Sequence, residues 1–203
     1  MSTTINLREA LEADAKTIAE IHVRCWQEVY SFMPKIVHRQ RNFEYRFRQW
    51  TDWFESGYRD ESLFVLESAS STVGFAMAKP NADTAIAVPG EMHACYLLPE
   101  HRGGELGPLG LMALATSLKE RGLWPACLWA FRENPYRRIY PFLGCEPEVF
   151  RERVIAGVGL PEIGYRVTDY DLLIARLDRM RASAAQRQTE SLRKPRLLLR
   201  LPG

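Results

Sequence analysis

The chain lacks most features that would place it in a specialised class. Its four cysteines (Cys25, Cys95, Cys127 and Cys145) lie far apart with no CxxC pair, which argues against a disulfide framework. Four histidines (His22, His38, His93 and His101) show no metal-ligand spacing, so no metal is expected. No apolar run approaches the roughly 20 residues that a membrane helix needs, so no membrane partner is expected. The first residues, Met1-Ser-Thr-Thr-Ile-Asn-Leu-Arg8, contain no basic-then-apolar export signal. These absences describe a cytoplasmic protein with buried free thiols. Large net charge is missing too, but the total of +2 hides an asymmetry. Residues 1–175 hold 19 basic and 23 acidic side chains, whereas residues 176–203 hold 8 and 2.

The expected organisation is therefore a mildly acidic domain over residues 1–175 and a flexible basic extension over 176–203. The extension includes Arg193-Lys-Pro-Arg-Leu-Leu-Leu-Arg200, whose functional alternative is polyanion binding through counterion release. Without patterned aromatics or a known module, nucleic acid is not an expected partner. What the chain does have is 46% hydrophobic residues, enough to bury the core of one domain.

Periodicity supplies the elements. Ile5 to Arg8 reads as a strand, and Ile18, Ile21, His22, Cys25, Trp26 and Val29 recur at helical spacing. Residues 32–60, rich in aromatics and arginines, fit one or two further helices. Leu63–Glu67 and Thr72–Lys79 read as paired strands, and Glu91–Leu98 as a strand stopped by Pro99. A helix from Pro108 to about Gly122, a strand over Ala126–Phe131 and a short helix over Pro135–Leu143 follow. Two last strands are expected near Val149–Ile155 and Ile163–Leu173. The order makes a mixed α/β domain.

The strongest local signal is the strand, turn and helix over residues 91–121. Gly103, Gly104, Gly107 and Gly110 fall where a strand gives way to a helix. Free N–H groups at a helix N-terminus, with the helix dipole behind them, suit phosphate. The turn matches neither a Walker P-loop nor the dinucleotide G-x-G-x-x-G pattern.

Glu91-Met-His-Ala-Cys-Tyr-Leu-Leu-Pro-Glu-His-Arg-Gly-Gly-Glu-Leu-Gly107 resembles the fourth strand and pyrophosphate loop of the GNAT superfamily of acyl-CoA-dependent N-acyltransferases. Asn134-Pro-Tyr-Arg-Arg-Ile-Tyr-Pro-Phe-Leu-Gly144 is similar to that family's Asn…Phe-Tyr-x-x-x-Gly-Phe helix. Ile5–Ala10 and Ile21–Tyr30 resemble its first strand and helix. The chain departs from the loop pattern [Gln/Arg]-x-x-Gly-x-[Gly/Ala] at Glu105, where glycine is usual, and keeps Gly107. If that position needs φ > 0, Glu105 pays about 1–2 kcal/mol. A carboxylate there also repels phosphate, and Gly104 offers a one-residue shift of the turn. The second motif is one residue short, and Pro141 follows its tyrosine.

The resemblance implies a mixed, mostly antiparallel six- to seven-stranded sheet with flanking helices. It implies acetyl-CoA as co-substrate and direct transfer of a short acyl group to a primary amine on a small molecule or peptide. A homodimer is compatible with it. Pantetheine would meet Leu97 and Leu98, and the phosphates would meet Arg102, Gly103, Gly104, Leu106 and Gly107, with Asn134 nearby. Tyr140 would protonate the departing thiolate and Glu91 would be the base. Alternation puts Glu91, His93, Cys95 and Leu97 on one strand face, with Glu91 and His93 about 7 Å apart.

His93, Trp26 and Tyr30 are candidates to touch the acceptor, and Trp50 and Trp53 belong to the same aromatic stretch. Residue types alone also permit a salt-bridged Glu91, an interior His93, a packing Tyr140 and a helix-capping Asn134. The competing function is a non-catalytic GNAT-fold module with a degenerate CoA loop.

Overall fold

The computed structural model describes residues 4–57 and 60–193; the segment 194–203 of the expected extension lies outside them. Seven strands are β1 (Ile5–Glu9), β2 (Ser62–Ser68), β3 (Ser71–Pro80), β4 (Gly90–Leu97), β5 (Ala126–Phe131), β6 (Glu146–Ile155) and β7 (Val158–Val167). They form one sheet in the order β1-β2-β3-β4-β5-β7-β6. Neighbours are antiparallel except β4 and β5, which run parallel. The helices are α1 (Ala15–Val29), α2 (Lys35–Gln40), α3 (Phe43–Ser56), α4 (Leu106–Glu120), α5 (Ile139–Phe142) and α6 (Tyr170–Arg193). No described helix is long and apolar enough to cross a membrane.

Period-2 alternation sorts the sheet into two faces. In β3, Phe75 and Met77 enter a core with Ile18, Cys25 and Trp50, so α1 and α3 cover that side. Ala76 and Ala78 enter the opposite core with Leu114, Leu118, Leu173 and Leu177, so α4 and α6 cover the other. A β-strand buried on both faces reads as a continuous apolar run, which is how Val73-Gly-Phe-Ala-Met-Ala78 appears in the sequence. Small residues on the α4 side let that helix approach closely. A Cβ on Gly110 would stand 3.1 Å from Cys95 Sγ and 3.3 Å from Leu66.

The C-terminal part differs from expectation. The last strand ends at Val167, not Leu173, because Asp169 starts a helix there and its carboxylate accepts from Leu172 N at 2.9 Å. The expected boundary at residue 175 falls inside α6, so residues 176–193 continue the domain as helix. Leu173, Leu177, Met180 and Ala184 are spaced by three or four residues, and this stripe is buried or packed on the core. Basic composition conceals it, because the arginines occupy the other faces. Leu177→Ala should cost about 2–5 kcal/mol in urea unfolding, the range for a truncated core leucine. A cost below about 0.5 kcal/mol, typical of surface positions, would mean that α6 does not belong to the folded unit.

Candidate active site

Strands β4 and β5 pair at only two positions, Gly90 with Ala126 and Glu91 with Cys127. Beyond them β5 stays with β7, and the β4 edge facing β5 opens. The opening coincides with a bulge, since Ala78 pairs with Met92 and the preceding Met77 with Ala94, leaving His93 as an extra residue in β4. The bulge breaks the expected alternation. Cys95 and Leu97 pack on the α4 side, whereas Ala94 and Tyr96 join the core beneath α1 and α3. Glu91 lines a cavity on the latter side and does not share a face with Cys95 and Leu97, whereas the bulged His93 lines cavities on both sides.

A cleft of about 1060 Å³ occupies the α4 side of the opening. Gly103, Gly104 and Gly107 line it at the start of α4. Gly103 makes the turn with φ +76°, whereas Glu105 has ordinary helical angles (φ −79°, ψ −23°), so the strain expected at Glu105 is absent. The Glu105 carboxylate stands 4.0 Å from Arg181 Nη2 of α6 and is not part of the cleft wall. Leu106 is buried at the first position of α4, where its N–H is one of the helix's unpaired donors.

Arg102 is braced inward. Its Nε donates to Leu97 O at 2.9 Å, and its Nη1 to Glu28 Oε2 at 2.5 Å and to the Tyr136 hydroxyl at 2.8 Å. Leu97 O also accepts from Cys25 Sγ at 3.2 Å, and Leu98 N donates to Val73 O at 2.9 Å. One backbone group of each residue expected to meet pantetheine thus already has a protein partner, although Leu97 itself lines the cleft. Asn134 does two things: it caps the following turn, accepting from Tyr136 N at 2.9 Å, and it lines the cleft. From α6, Arg176, Arg179 and Arg187 reach the same cleft, the last donating to Gly103 O at 3.5 Å.

Tyr140 lines the cleft beside Tyr165, with ring centroids 5.3 Å apart. Burial pushes its phenol well above the usual value, so it stays protonated at neutral pH. Burial likewise pushes the Cys95 thiol up to about 12, and the Cys127 and Cys145 thiols to the same level, which leaves them poor nucleophiles.

Glu91 Oε1 lies 2.6 Å from His93 Nδ1, and Glu91 Oε2 lies 3.5 Å from Lys79 Nζ. Burial pushes the Glu91 carboxyl up, but His93 and Lys79 together outweigh it and hold the carboxyl below the usual range. An ionised carboxylate has no proton to give, so Nδ1 donates and a neutral His93 keeps its lone pair on Nε2. Among the described residues, no group of three histidine, cysteine or acidic side chains is arranged to hold a metal.

On the opposite face lies a smaller cavity of about 170 Å³, covered by α1 and α3. Trp26, Tyr30 and Trp50 line it, but Trp53 does not; its indole donates to Glu61 instead at 2.6 Å. Tyr30, His93, Ala94, Tyr96 and Trp129 line both cavities and so form the wall that the two share. Arg46 of α3 is 5% exposed, and its Cζ sits 4.5 Å from the Trp26 ring centroid. Burial brings its guanidinium pKa down to about 10. It has no ion-pair partner among the described residues, an arrangement that costs several kcal/mol for a buried ion.

Sequence reasoning missed Tyr136 and the arginines of α6, and it took Arg46 with Arg39, Arg41 and Arg48 for solvated surface, with an acidic acceptor as the alternative. The signal for the α6 arginines was present as Arg176, Arg179 and Arg187 at helical spacing. Nothing local distinguishes Arg46 from its solvated neighbours in the same helix.

Comparison with known proteins agrees with this geometry. The "Acetyltransferase (GNAT) family" model matches residues 15–140. The uncharacterised N-acetyltransferase YuaI of Bacillus subtilis (strain 168) is 29% identical over 180 residues, covering 86% of this chain and 99% of its own. Among solved structures, the putative acetyltransferase YncA of Salmonella typhimurium with its cofactor acetyl-CoA is similar in fold. Its TM-score is 0.62 at 18% identity, over 81% of this chain and 94% of that one. The PaiA N-acetyltransferase of Thermoplasma acidophilum in complex with coenzyme A has a TM-score of 0.56 at 17% identity, over 81% and 99%. The sheet, the parting of β4 and β5, the turn before α4 and the family match agree, and this chain belongs to the GNAT acetyltransferase family.

Proposed function

We propose that this protein transfers an acetyl group from acetyl-CoA to a primary amine by direct attack. The observation that carries the reading is the place of His93, which lines both a cleft with phosphate-suited donors and a small pocket on the other face of the sheet. The residues fit acetyl-CoA: the start of α4 and its turn present backbone N–H groups, and α6 adds arginines. When bound, acetyl-CoA supplies the thioester whose acetyl group is transferred.

Gly103, Gly104, Leu106 and Gly107 then offer N–H donors to the phosphates, and Arg179 and Arg187 add charge. Arg102 serves as a brace between β4 and α1 rather than as a phosphate ligand. The open β4 edge from Met92 to Tyr96 is where pantetheine pairs. An alkylamine has a pKa near 10 and attacks only as the free base, so a proton must leave it. His93 Nε2 faces that task, and Glu91 is a positioning residue that holds the ring and stabilises its charged form. These roles reverse the order expected from sequence, where Glu91 was the base. Tyr140 donates its hydroxyl proton toward the departing sulfur. Four free thiols and the use of acetyl-CoA suit a reducing cytoplasm.

A non-catalytic module was the competing reading, motivated by Glu105 and by the shortened second motif. Glu105 turns away from the cleft toward Arg181, and Tyr140 of the shortened motif still lines the cleft.

A thermal-shift titration decides whether the cleft binds acetyl-CoA at all. Ligand at 100 times its dissociation constant should add about 2.7 kcal/mol, and absence of stabilisation at millimolar acetyl-CoA would sink the reading. Replacing both Arg179 and Arg187 by Ala should weaken CoA binding by roughly tenfold or more, about 1.4 kcal/mol, in calorimetry. The difference should shrink at high salt, and unchanged affinity would remove α6 from the site.

In single-turnover transfer, His93→Ala should slow the chemical step by roughly 10²–10⁴ and Tyr140→Phe by at least about tenfold. Glu91→Gln should move the pH profile of kcat/KM while leaving acetyl-CoA affinity intact. An unmoved profile would reduce Glu91 to a structural group.

A further inference from the structure

The small cavity beneath α1 and α3 concentrates the unpaired polar atoms of the molecule. Six buried side-chain nitrogens among the described residues have no hydrogen-bond partner. Five belong to residues that line this cavity: His22 Nδ1, Arg46 Nε, Arg46 Nη2, Trp50 Nε1 and Trp129 Nε1. Buried polar groups are nearly always paired, so such a cluster needs a reason. Both arginine atoms and both indole atoms are N–H donors that accept nothing. A ligand that answers them must be rich in acceptors.

Arg46 narrows the class. Its Nη1 is occupied, donating to Gln49 Oε1 at 2.8 Å. The free atoms, Nε and Nη2, form one edge of the guanidinium fork, which matches the two oxygens of a carboxylate. Elsewhere in the chain Arg166 uses that same edge on a carboxylate: its Nε and Nη2 both donate to Glu148, the second at 2.7 Å. Gln49, the Trp26 face and burial hold the Arg46 fork in place.

The cavity's own carboxylates are spoken for. Glu162 accepts from Arg151 Nε at 2.7 Å and lies 3.9 Å from Arg153, while Glu91 is held by His93 and Lys79. Neither forms an ion pair with Arg46. Arg41 and Arg153 add further positive charge to the wall.

We infer that the acceptor is a small primary amine carrying a carboxylate, with the carboxylate on Arg46 and the amine at His93. This rests on the acetyl-transfer reading, because His93 lines both this cavity and the cleft proposed for the thioester. A volume of about 170 Å³ holds the equivalent of about six waters, which suits a free amino acid and is too small for a nucleotide.

The test compares matched substrates on one protein sample: L-alanine with ethylamine, L-leucine with isopentylamine, and 4-aminobutyrate with propylamine. Transfer from acetyl-CoA is read as thiol release. The wild-type protein should favour the carboxylate-bearing member in kcat/KM by roughly 100-fold, as expected for a buried charge pair. Arg46→Met should bring the ratio to within a few-fold of one, and Arg46→Lys should fall between, since lysine has no fork. Each ratio is internal to its sample, so partial misfolding cancels; if Arg46→Met does not fold, Arg46→Lys decides.

A wild-type ratio near one, or a ratio unchanged by both substitutions, overturns the inference. Preference for O-phosphoethanolamine over 4-aminobutyrate overturns it in favour of phosphate.

Binding without acetyl-CoA separates the two readings. Quenching of tryptophan fluorescence by the amino acids in wild type but not in Arg46→Met supports the carboxylate site even if acetyl transfer fails. No response at tens of millimolar amino acid overturns the site even if acetyl-CoA binds.

Discussion

Everything functional in this fold depends on two parallel strands that stop pairing. Gly90 and Glu91 hold β4 to β5, and His93 then bulges out of the ladder. Had pairing continued, each backbone N–H and C=O would have found a partner across the gap and no cleft would exist. The parted edge instead leaves a seam with a cavity on each face of the sheet. Neighbouring packing keeps it open: Gly110 lets α4 sit against Cys95, and Trp26 donates to the Tyr96 hydroxyl at 2.9 Å on the other side. The seam passes through His93, which is also where the reading of the chemistry places proton removal.

Charge is distributed with the same economy. The acidic side chains at the site each have a basic partner: Glu91 with Lys79 and His93, Glu105 with Arg181, and Glu162 with Arg151. The arginines of α6 at the cleft and Arg46 at the pocket have no carboxylate partner among the described residues. Net charge therefore says little about binding here. Position matters more, because Arg176, Arg179 and Arg187 of α6 line the cleft of a domain whose residues 1–175 are mildly acidic.

Much of the architecture was legible in the residues. The stripe Ile18, Ile21, Cys25, Trp26 and Val29 became the buried face of α1, and the apolar runs of β2, β3 and β5 became central strands. Three features were not legible, each for a physical reason. A bulge is a one-residue slip, and strict alternation misassigns every side chain after it, as happened to Cys95 and Leu97. The four-residue stripe on α6 was outweighed by its arginines. Arg46 looks like the other arginines of an amphipathic helix until Trp26 and the sheet close over it.

Composition and period determined the elements of this protein, and the glycine turn before α4 with the Asn134 and Tyr140 segment determined its family. Those are local properties, carried by residues a few positions apart. Tertiary structure alone decided that Glu91 pairs with His93 and Lys79, that Arg102 is held by Glu28 and Tyr136, and that a basic terminal helix lines the cleft. Each of these depends on partners 34 or more residues distant, or on a register that only the assembled sheet can set. Burial and pairing, not residue type, give an ionisable side chain its role.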